Sequence, residues 1–315
     1  MVPTLPAVAR PTVVLDCDPG HDDAVAMLVA AHRAELVGVT TVSGNAPLEL
    51  TTRNALLTCQ IAGLEVPVHA GADRPLVEVR HHGTEIHGRS GLDGPVLPTL
   101  RREPDGHDAV GFLIDASRRF AGLWIVAVGP LTNVALALRA DPALATRLAG
   151  ISIMGGGIAG GNRTAAAEFN VWADPEAAAV VFGAGVPLLM SGLDVTNQFT
   201  VDDGTVADLR ALHNVVGDFV ADLFDHYCGA MSQRLGRRVA ALHDPCAVLS
   251  LTDPELFEHE DLHVVVELTG THTRGMTLAD RRRLLDGPPP NAKVMTAIDR
   301  DRAMRMVVDA CGARR

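Results

Sequence analysis

Apolar, β-branched runs alternate with helix-like patterns along most of the chain. The runs that predict strands are 13–15, 36–42, 123–128, 151–154 and 187–193. The stretches that predict helices are 24–33, 48–61, 131–139, 175–182 and 206–224. Strands and helices that alternate in this way favour an α/β fold with an open, mostly parallel, Rossmann-like sheet and helices on both faces.

The C-terminal part has a different pattern. Strand-like segments at 262–268, 273–280 and 292–299 follow one another with no helical pattern between them, and a helix-like segment lies near 300–310. We expect a small antiparallel extension of the sheet there, closed by a final helix. Because no repeat or linker-like stretch divides the chain, we predict a single domain over residues 12–311, preceded by a short N-terminal extension, 1–11.

Four carboxylates stand between the first predicted strand and the first predicted helix, in the segment DCDPGHDD. They are Asp16, Asp18, Asp22 and Asp23, and two such charges about 4 Å apart repel by roughly 4 kcal/mol at an effective dielectric of about 20. A helix N-terminus stabilises one or two carboxylates, so Asp22 alone could be an N-cap. A bound cation explains the whole set, and oxygen ligands without a zinc-like His or Cys pair favour a hard ion, Ca²⁺ or Mg²⁺.

Two other cation-binding motifs share part of this pattern. An EF-hand loop beginning at Asp16 needs Gly at position 21 and Glu at position 27, where the chain has His21 and Met27, so that motif is excluded. A phosphatase of the haloacid-dehalogenase type would use Asp16 as nucleophile and Asp18 as acid. Gly20 stands where such enzymes usually have Thr or Val, and the sequence leaves this alternative open.

Polar turns follow several other predicted strands. SGN stands at 43–45, GPLTN at 129–133 and MGGG at 154–157. In open α/β sheets, ligands bind beyond the carboxyl ends of the strands, so we expect these turns and the acidic turn to converge on one site.

The segment LHDPCAV places His243 beside Asp244, with Pro245 at a predicted helix start. One interpretation is an Asp N-cap with an incidental histidine. If Asp244 instead joins the cation, His243 lies at the rim of the site. It is then a candidate general acid, since the ordinary pKa of histidine is near neutrality.

A glycine-rich segment with polar residues runs from 154 to 178. Gly155, Gly157 and Gly160 match G-x-G-x-x-G after a strand, which would indicate a dinucleotide site and an oxidoreductase. No helix pattern opens directly after Gly160, and the motif is not in the first βα turn. We therefore favour close approach of the backbone to a small ligand. The residues expected to bind its hydroxyls are Asn162, Glu168 and Asn170.

The segment 80–94 holds three histidines among glycines, and their spacing fits no common zinc site. We interpret it as a mobile lid that contributes His87 or His82 to the ligand, with an exposed inert loop as the alternative.

Composition narrows the function classes. The net charge of −11 argues against a nucleic-acid partner, because phosphate contacts need a basic surface. No apolar run approaches the roughly 20 residues of a membrane helix, so no membrane partner is expected. Five scattered cysteines form no C-x-x-C pair, and the N-terminus has no signal-like pattern, which together favour the cytoplasm. Aromatic residues make up only 3%, with one tyrosine, so few rings are available to stack on a base.

In this order the motifs resemble those of the inosine–uridine-preferring nucleoside hydrolases, the nucleoside N-ribohydrolases. DCDPGHDDAVA is similar to the family pattern D-x-D-P-G-x-D-D. TTVSGN, VAVGPLTNVA, MGGG, AAEFNVWADPEAA, LDVT and LHDPCAV follow in the family's order, from about residue 12 to about residue 300. Several motifs in order are far more specific than one alone.

The resemblance implies Ca²⁺-dependent hydrolysis of the N-glycosidic bond of ribonucleosides, a reaction of purine and pyrimidine salvage. The implied Ca²⁺ ligands are Asp18, Asp23, Asp244 and the main-chain carbonyl of Thr132. Asp18 would act as general base on the attacking water, and His243 would be the acid for the departing base. The implied sugar-binding residues are Asp22, Asn45, Met154, Asn162, Glu168 and Asn170, to which the lid interpretation adds His87. Asp16 would order its neighbours, and a homodimer or homotetramer is expected.

Two departures from the family pattern affect base recognition. Asn197 stands where many relatives have His, and the segment 226–244, where relatives place base-contacting side chains, has no aromatic pair. The base preference is therefore not predicted. The rival hypotheses are a catalytically weak nucleoside- or ribose-binding homologue and a dinucleotide-dependent oxidoreductase.

Overall fold

A computed structural model describes residues 10–83, 88, 90–282 and 287–314, without the side chains of residues 234 and 235. His87, predicted to contact the substrate, lies outside the described residues. The division into a domain at 12–311 and an extension at 1–11 stays a prediction. None of the described helices is both long enough and apolar enough to cross a membrane.

The described residues form one large sheet and one very small one. The strands are Thr12–Cys17 (β1), Glu35–Thr41 (β2), Val68–Ala70 (β3), Trp124–Ala127 (β4), Gly150–Met154 (β5), Leu188–Ser191 (β6), Thr200–Val201 (β7), Ala240–Ala241 (β8), Phe257–Val266 (β9), Thr277–Asp280 (β10) and Ala292–Ile298 (β11). The large sheet has the order β10-β9-β11-β6-β5-β4-β1-β2-β3, and β7 pairs with β8. From β3 to β11 every neighbouring pair is parallel, whereas β9 runs antiparallel to both β11 and β10.

Helices connect the strands and cover both faces of the sheet. They are His21–Arg33 (α1), Leu48–Ala62 (α2), Ala109–Arg119 (α3), Thr132–Ala140 (α4), Leu144–Arg147 (α5), Phe169–Ala173 (α6), Pro175–Phe182 (α7), Leu193–Thr196 (α8), Asp203–Arg210 (α9), Val215–Leu235 (α10), Pro245–Thr252 (α11) and Arg300–Gly312 (α12), with a short 3-10 helix at Pro254–Leu256. The predicted α/β fold and its antiparallel extension are confirmed. The extension consists of β9 and β10, because β11 joins the parallel set beside β6.

Side chains on β1 show how the two cores form. Val13, Leu15 and Cys17 pack in a cluster with α1, α10, α11 and α12, while Val14 packs in a second cluster with α3, α4 and α7. Successive strand residues point to opposite faces, so a fully apolar strand requires a covered sheet on both sides. Helix α1 is buried along its whole first ten residues, which explains why it is apolar almost all round.

One predicted helix proved to be two. The stretch 206–224 spans the end of α9 and the start of α10, separated at residues 211–214. His213 has a positive φ of 50°, and the side chain of Asn214 accepts the N–H of Gly217 at 2.7 Å as the N-cap of α10. The apolar periodicity continues across the break, so only this cap marks it in the sequence.

The strand order places the acidic turn at a special point. The order β3-β2-β1-β4-β5-β6 reverses direction at β1, which is the switch point of Rossmann-type sheets. The turns after β1, β2, β4 and β5 therefore meet at one edge of the sheet, as expected from the sequence.

Candidate active site

Asp23 organises the acidic turn. Its Oδ1 accepts the main-chain N–H of Asp18 at 3.0 Å, and its Oδ2 accepts that of Gly20 at 2.9 Å. Asp22 follows in the first turn of α1, whose N-cap is Gly20, so the interpretation of Asp22 as an N-cap is wrong. The carboxylate of Asp22 accepts the main-chain N–H of His243 at 3.3 Å, which joins the first and last motifs of the site.

Three buried carboxylates lie together above this turn. Asp22, Asp23 and Asp244 bring oxygens within 4.8 Å of one another. Burial, and then the charge of Asp22, raises the pKa of Asp23 to about 6. The pKa of Asp244 lies well above its usual range, because the group is buried and faces the charges of Asp22 and Asp23. Buried carboxylates this close together either hold protons or bind a cation.

Asp18 lies beside this group in a pocket made by two glycines. A Cβ at Gly44 or at Gly129 would overlap its carboxylate. Its Oδ2 accepts the main-chain N–H of Asn45 at 2.6 Å, whereas its buried Oδ1 has no hydrogen-bond partner among the described residues. Burial, and then the charge of Asp23, keeps the pKa of Asp18 well above its usual range.

These groups fit a divalent cation. A buried carboxylate oxygen without a partner is costly, and Asp18 interacts with the charges of Asp23 and Asp22, although it is not one of the three carboxylates that lie within 4.8 Å of one another. All of the donors are hard oxygens, which Ca²⁺ and Mg²⁺ prefer. Thr132 is buried at the start of α4, and its hydroxyl donates to Asp174 at 2.7 Å. The structure adds Asp22, assigned from the sequence to the sugar, to the residues nearest such an ion.

The side chain of Asp244 does not cap the helix that follows it. Asp244 precedes α11 with helical backbone angles, and its carboxylate accepts no N–H of that helix. The N-cap interpretation is therefore wrong, and the carboxylate faces Asp22 and Asp23. His243, the preceding residue, has Nδ1 2.8 Å from the hydroxyl of Thr196. Burial lowers the pKa of His243, and the charge of Asp22 acts in the opposite direction.

Asp16 is buried at the end of β1 and does not line a cavity. Its Oδ1 accepts from the hydroxyl of Thr40 at 2.5 Å and from Nδ2 of Asn133 at 2.8 Å. Burial raises its pKa to about 6. Its Oδ2 is buried without a partner among the described residues, and Asp16 is not among the residues that line the cavity described below, which argues against the phosphatase alternative.

The N–H groups of residues 155–159, in the glycine-rich loop after β5, are all hydrogen-bonded within the protein. The main-chain N–H groups of residues 155–159 donate to the carbonyl of Ser191 and to the side chains of Glu168, Thr277 and Asp194, at 2.7–3.3 Å. A dinucleotide loop needs such groups directed at the pyrophosphate. The loop is therefore a fixed wall, and the match to G-x-G-x-x-G does not indicate a dinucleotide site.

Glu168 and Asn170 connect this wall to neighbouring strands. Glu168 accepts the N–H groups of Gly156 and Asn170 at 2.9 Å and caps α6. Nδ2 of Asn170 donates to the carbonyls of Val128 and Met154 at 2.8 and 3.1 Å, which directs its Oδ1 elsewhere. Both residues line the cavity described below.

The buried Glu168 predicts a pH dependence of stability. Burial raises its pKa from 4.5 to about 7, so between these values the folded chain holds a proton that the unfolded chain has released. The free energy of unfolding should therefore fall as pH rises through this window, by about 3 kcal/mol for this group. Glu168→Gln should remove that part of the slope, measured by urea unfolding at pH 5 and pH 8. An equal slope in both proteins would contradict the assignment.

A cavity of about 570 Å³ opens beside the acidic cluster. The predicted residues that line it are Asp22, Asn45, Met154, Asn162, Glu168, Asn170, His243 and Asp244. Asp18, Asp23 and Thr132 are buried and do not line it. Eight of the eleven described candidate residues thus line one cavity, and Asn45 donates to Asp18 and Asp23, which lie buried beside it.

Sequence reasoning missed several lining residues. They are Gly83, Val128, Arg163, Phe169, Thr200, Met231, Val239 and Ala241. Phe169 and Arg163 adjoin predicted residues, so their positions in the motifs could have indicated them. Thr200 and Ala241 lie in β7 and β8, and strands of two residues leave no pattern in a sequence.

The described part of the predicted lid reaches the rim of the cavity. The N–H of Gly83 donates to the carbonyl of Gly44 at 3.2 Å, and the ring of His81 lies 4.6 Å from that of Trp172. The guanidinium of Arg163 packs on the same indole at 4.7 Å. Two loops therefore meet on Trp172 at the edge of the site.

The protein has a Rossmann-type sheet with buried carboxylates at its switch point, beneath a polar cavity. These features define the class of protein. It is an α/β enzyme fold with a small-molecule site at the carboxyl ends of the strands.

Comparisons with known proteins narrow the class to a family. The sequence profile described as "Inosine-uridine preferring nucleoside hydrolase" matches residues 13–305. The pyrimidine-specific ribonucleoside hydrolase RihA of Salmonella typhimurium is 42% identical over 293 residues, covering 91% of this chain and 94% of that protein. RihB of Escherichia coli O9:H4, with the same description, is 39% identical over 92% of this chain and 93% of its own.

A solved structure agrees. The purine-preferring ribonucleoside hydrolase from Gardnerella vaginalis superposes with a TM-score of 0.90 at 32% identity, covering 96% of this chain and 98% of that one. The chain belongs to the inosine-uridine preferring nucleoside hydrolase family. It is a hydrolase of N-glycosyl compounds, in a family of metal-dependent ribonucleoside hydrolases.

Proposed function

We propose that this chain hydrolyses pyrimidine ribonucleosides to ribose and free base in a Ca²⁺-dependent reaction, with Asp18 as general base and His243 as general acid. The observation that carries the proposal is the group of buried carboxylates beneath a cavity lined by hydrogen-bonding side chains. Pyrimidine preference is supported by the printed descriptions of the two relatives that are 42% and 39% identical.

The cation would be held by Asp18, Asp23, Asp244 and the main-chain carbonyl of Thr132, with Asp22 close by. A bound Ca²⁺ would orient the attacking water and the vicinal ribose hydroxyls, and it would lower the pKa of that water. The unpartnered Oδ1 of Asp18 is what supports its place in this set. Mg²⁺ prefers the same kind of ligand, so the activity assay described below is also carried out with Mg²⁺.

The reaction needs one group that accepts a proton from the attacking water and another that donates a proton to the departing base. Water oxygen forms a bond to C1′ of the ribose while Asp18 accepts its proton. The C1′–N bond breaks and its electron pair goes to the base nitrogen, which receives a proton from His243. The net change is nucleoside plus water to ribose plus base.

The cavity walls would stabilise the charge that develops. Breaking the bond builds positive charge on the sugar, and the carboxylates of Asp22 and Glu168 with the amide oxygens of Asn162 and Asn170 favour it electrostatically. Glu168 accepts the N–H groups of Gly156, Asn170 and Val171, and Asn170 donates to the carbonyls of Val128 and Met154, so both side chains need little reorganisation.

The proposal also includes a homodimer or homotetramer and a cytoplasmic location. All five cysteines are buried thiols, which suits a reducing compartment. Sedimentation equilibrium of the purified chain would test the assembly.

A nucleoside panel tests the proposed function. Ribose release from uridine, cytidine, inosine, adenosine and 2′-deoxyuridine is measured with Ca²⁺, with Mg²⁺ and with a chelator. We expect kcat/KM for uridine or cytidine at least about tenfold above that for inosine, and 2′-deoxyuridine to lose most activity because it lacks the vicinal diol. Faster inosine cleavage would contradict pyrimidine preference. Binding without ribose release from any substrate would instead support the non-catalytic alternative.

A further inference from the structure

The hydroxyl of Thr196 contacts the ring of His243. Oγ1 of Thr196 lies 2.8 Å from Nδ1 of His243, and the threonine is fully buried. It is the last residue of α8, in the segment LDVT after β6. No other hydrogen bond of this hydroxyl is found among the described residues.

The pairing of β7 with β8 determines the distance between Thr196 and His243. Thr200 pairs with Ala241, and the N–H of Leu242 donates to the carbonyl of Phe199 at 2.7 Å. Thr196 lies just before this pair and His243 just after it. The backbone hydrogen bond between two buried residues, Phe199 and Leu242, therefore keeps Thr196 and His243 close together.

A threonine hydroxyl suits both protonation states of the ring. It can accept a hydrogen bond from Nδ1–H in the charged ring and in the neutral ring that remains after Nε2 gives its proton, and it can donate to Nδ1 in the other neutral tautomer. In either state Nδ1 is occupied and Nε2 is the ring nitrogen left for the cavity that His243 lines. A carboxylate partner would serve only the Nδ1–H form.

We propose that Thr196 is a positioning residue that holds His243 with Nε2 directed at the nitrogen of the departing base. This inference rests on the proposed function, since it needs His243 to give the proton. Thr196 does not line the cavity, and among the described residues its hydroxyl bonds to no carboxylate, so it would act only through the orientation of the ring.

The test compares two leaving groups. Uridine requires a proton on its departing base, whereas the nitrophenolate of 4-nitrophenyl β-D-ribofuranoside is stabilised by resonance and departs without one. Thr196→Val keeps the shape of the side chain and removes the hydroxyl. Thr196→Ser keeps the hydroxyl, and Thr58→Val removes a buried hydroxyl in α2 that bonds only to Asn54 at 2.9 Å.

We expect Thr196→Val to lower kcat on uridine about tenfold to a hundredfold, part of the range that general acids contribute. KM for uridine and kcat on the nitrophenyl riboside should stay within about threefold. Thr196→Ser should restore most of the loss, and Thr58→Val should behave like the wild type on both substrates. Should Thr196→Val fail to fold, Thr196→Ala gives the same comparison.

The possible failures are distinguishable. An equal loss on both substrates, or no loss on uridine, overturns the positioning role of Thr196 while the proposed function stands. A wild-type chain that cleaves neither substrate overturns the proposed function and this inference with it.

Discussion

Asp18→Asn should lower kcat on a ribonucleoside by at least about 10³-fold while the chain stays folded. The substitution removes the proposed proton acceptor, which alone contributes roughly 10²–10⁴, and weakens the proposed metal site as well. The amide keeps nearly the shape of the carboxylate between Gly44 and Gly129, and its oxygen can still accept the N–H of Asn45. Steady-state kinetics at saturating Ca²⁺ measures the effect.

The stability of the same variant separates chemistry from folding. Asp18 is fully buried and close to the charge of Asp23, so a neutral amide reduces the repulsion in the metal-free chain. We expect the metal-free variant to unfold at the same temperature as the metal-free wild type or above it. Asp208→Asn, exposed on α9, is the matched control and should leave both properties unchanged. Near wild-type turnover in Asp18→Asn would refute the base assignment.

Removing divalent ions should abolish hydrolysis and destabilise the chain. An ion that binds only the folded state adds about 2.7 kcal/mol at a concentration one hundred times its Kd, or about 5 °C in Tm. The gain in the free energy of unfolding on binding the ion should be larger at pH 8 than at pH 5. Burial and neighbouring charge raise the pKa of Asp23 from 3.8 to about 6, so the metal-free chain loses stability as pH rises through this window and the ion displaces fewer protons.

Differential scanning fluorimetry and a ribose assay, each with a chelator and with Ca²⁺ or Mg²⁺ restored, measure this effect. Asp23→Asn should lose most of the stabilisation by Ca²⁺, whereas Asp208→Asn should retain it. Full activity after exhaustive chelation would show that the carboxylates act without an ion.

The regular parts of the fold follow from the sequence because their signals are local. A parallel sheet buries both faces of its strands, so β1, β2, β4, β5 and β6 read as short apolar runs. The three-residue β3 and the two-residue β7 and β8 carry no such signal, because tertiary hydrogen bonds define them. The break between α9 and α10 depends on the cap at Asn214, which the continuous apolar pattern hides.

At the candidate site, too, some features could be predicted from the sequence and others arise only in the folded chain. The carboxyl-end rule brings together Asp22, Asn45 and Asn170 from turns far apart in the chain, as the sequence predicts. Sequence could not show that Gly44 and Gly129 leave room for the carboxylate of Asp18, since this depends on the approach of two separate turns. The contact between Thr196 and His243 likewise arises only when β7 pairs with β8.

Titration of the metal-stripped chain with Ca²⁺, alone and with ribose or 2-deoxyribose present, shows whether the buried aspartates bind a divalent ion together with a sugar. If the buried aspartates hold an ion that also binds the sugar's vicinal hydroxyls, calorimetry should give one ion per chain. Ribose should then tighten Ca²⁺ binding, because linkage is reciprocal, whereas 2-deoxyribose should have little effect. A chain that binds no divalent ion, or binds one with an affinity that ribose leaves unchanged, would contradict the account.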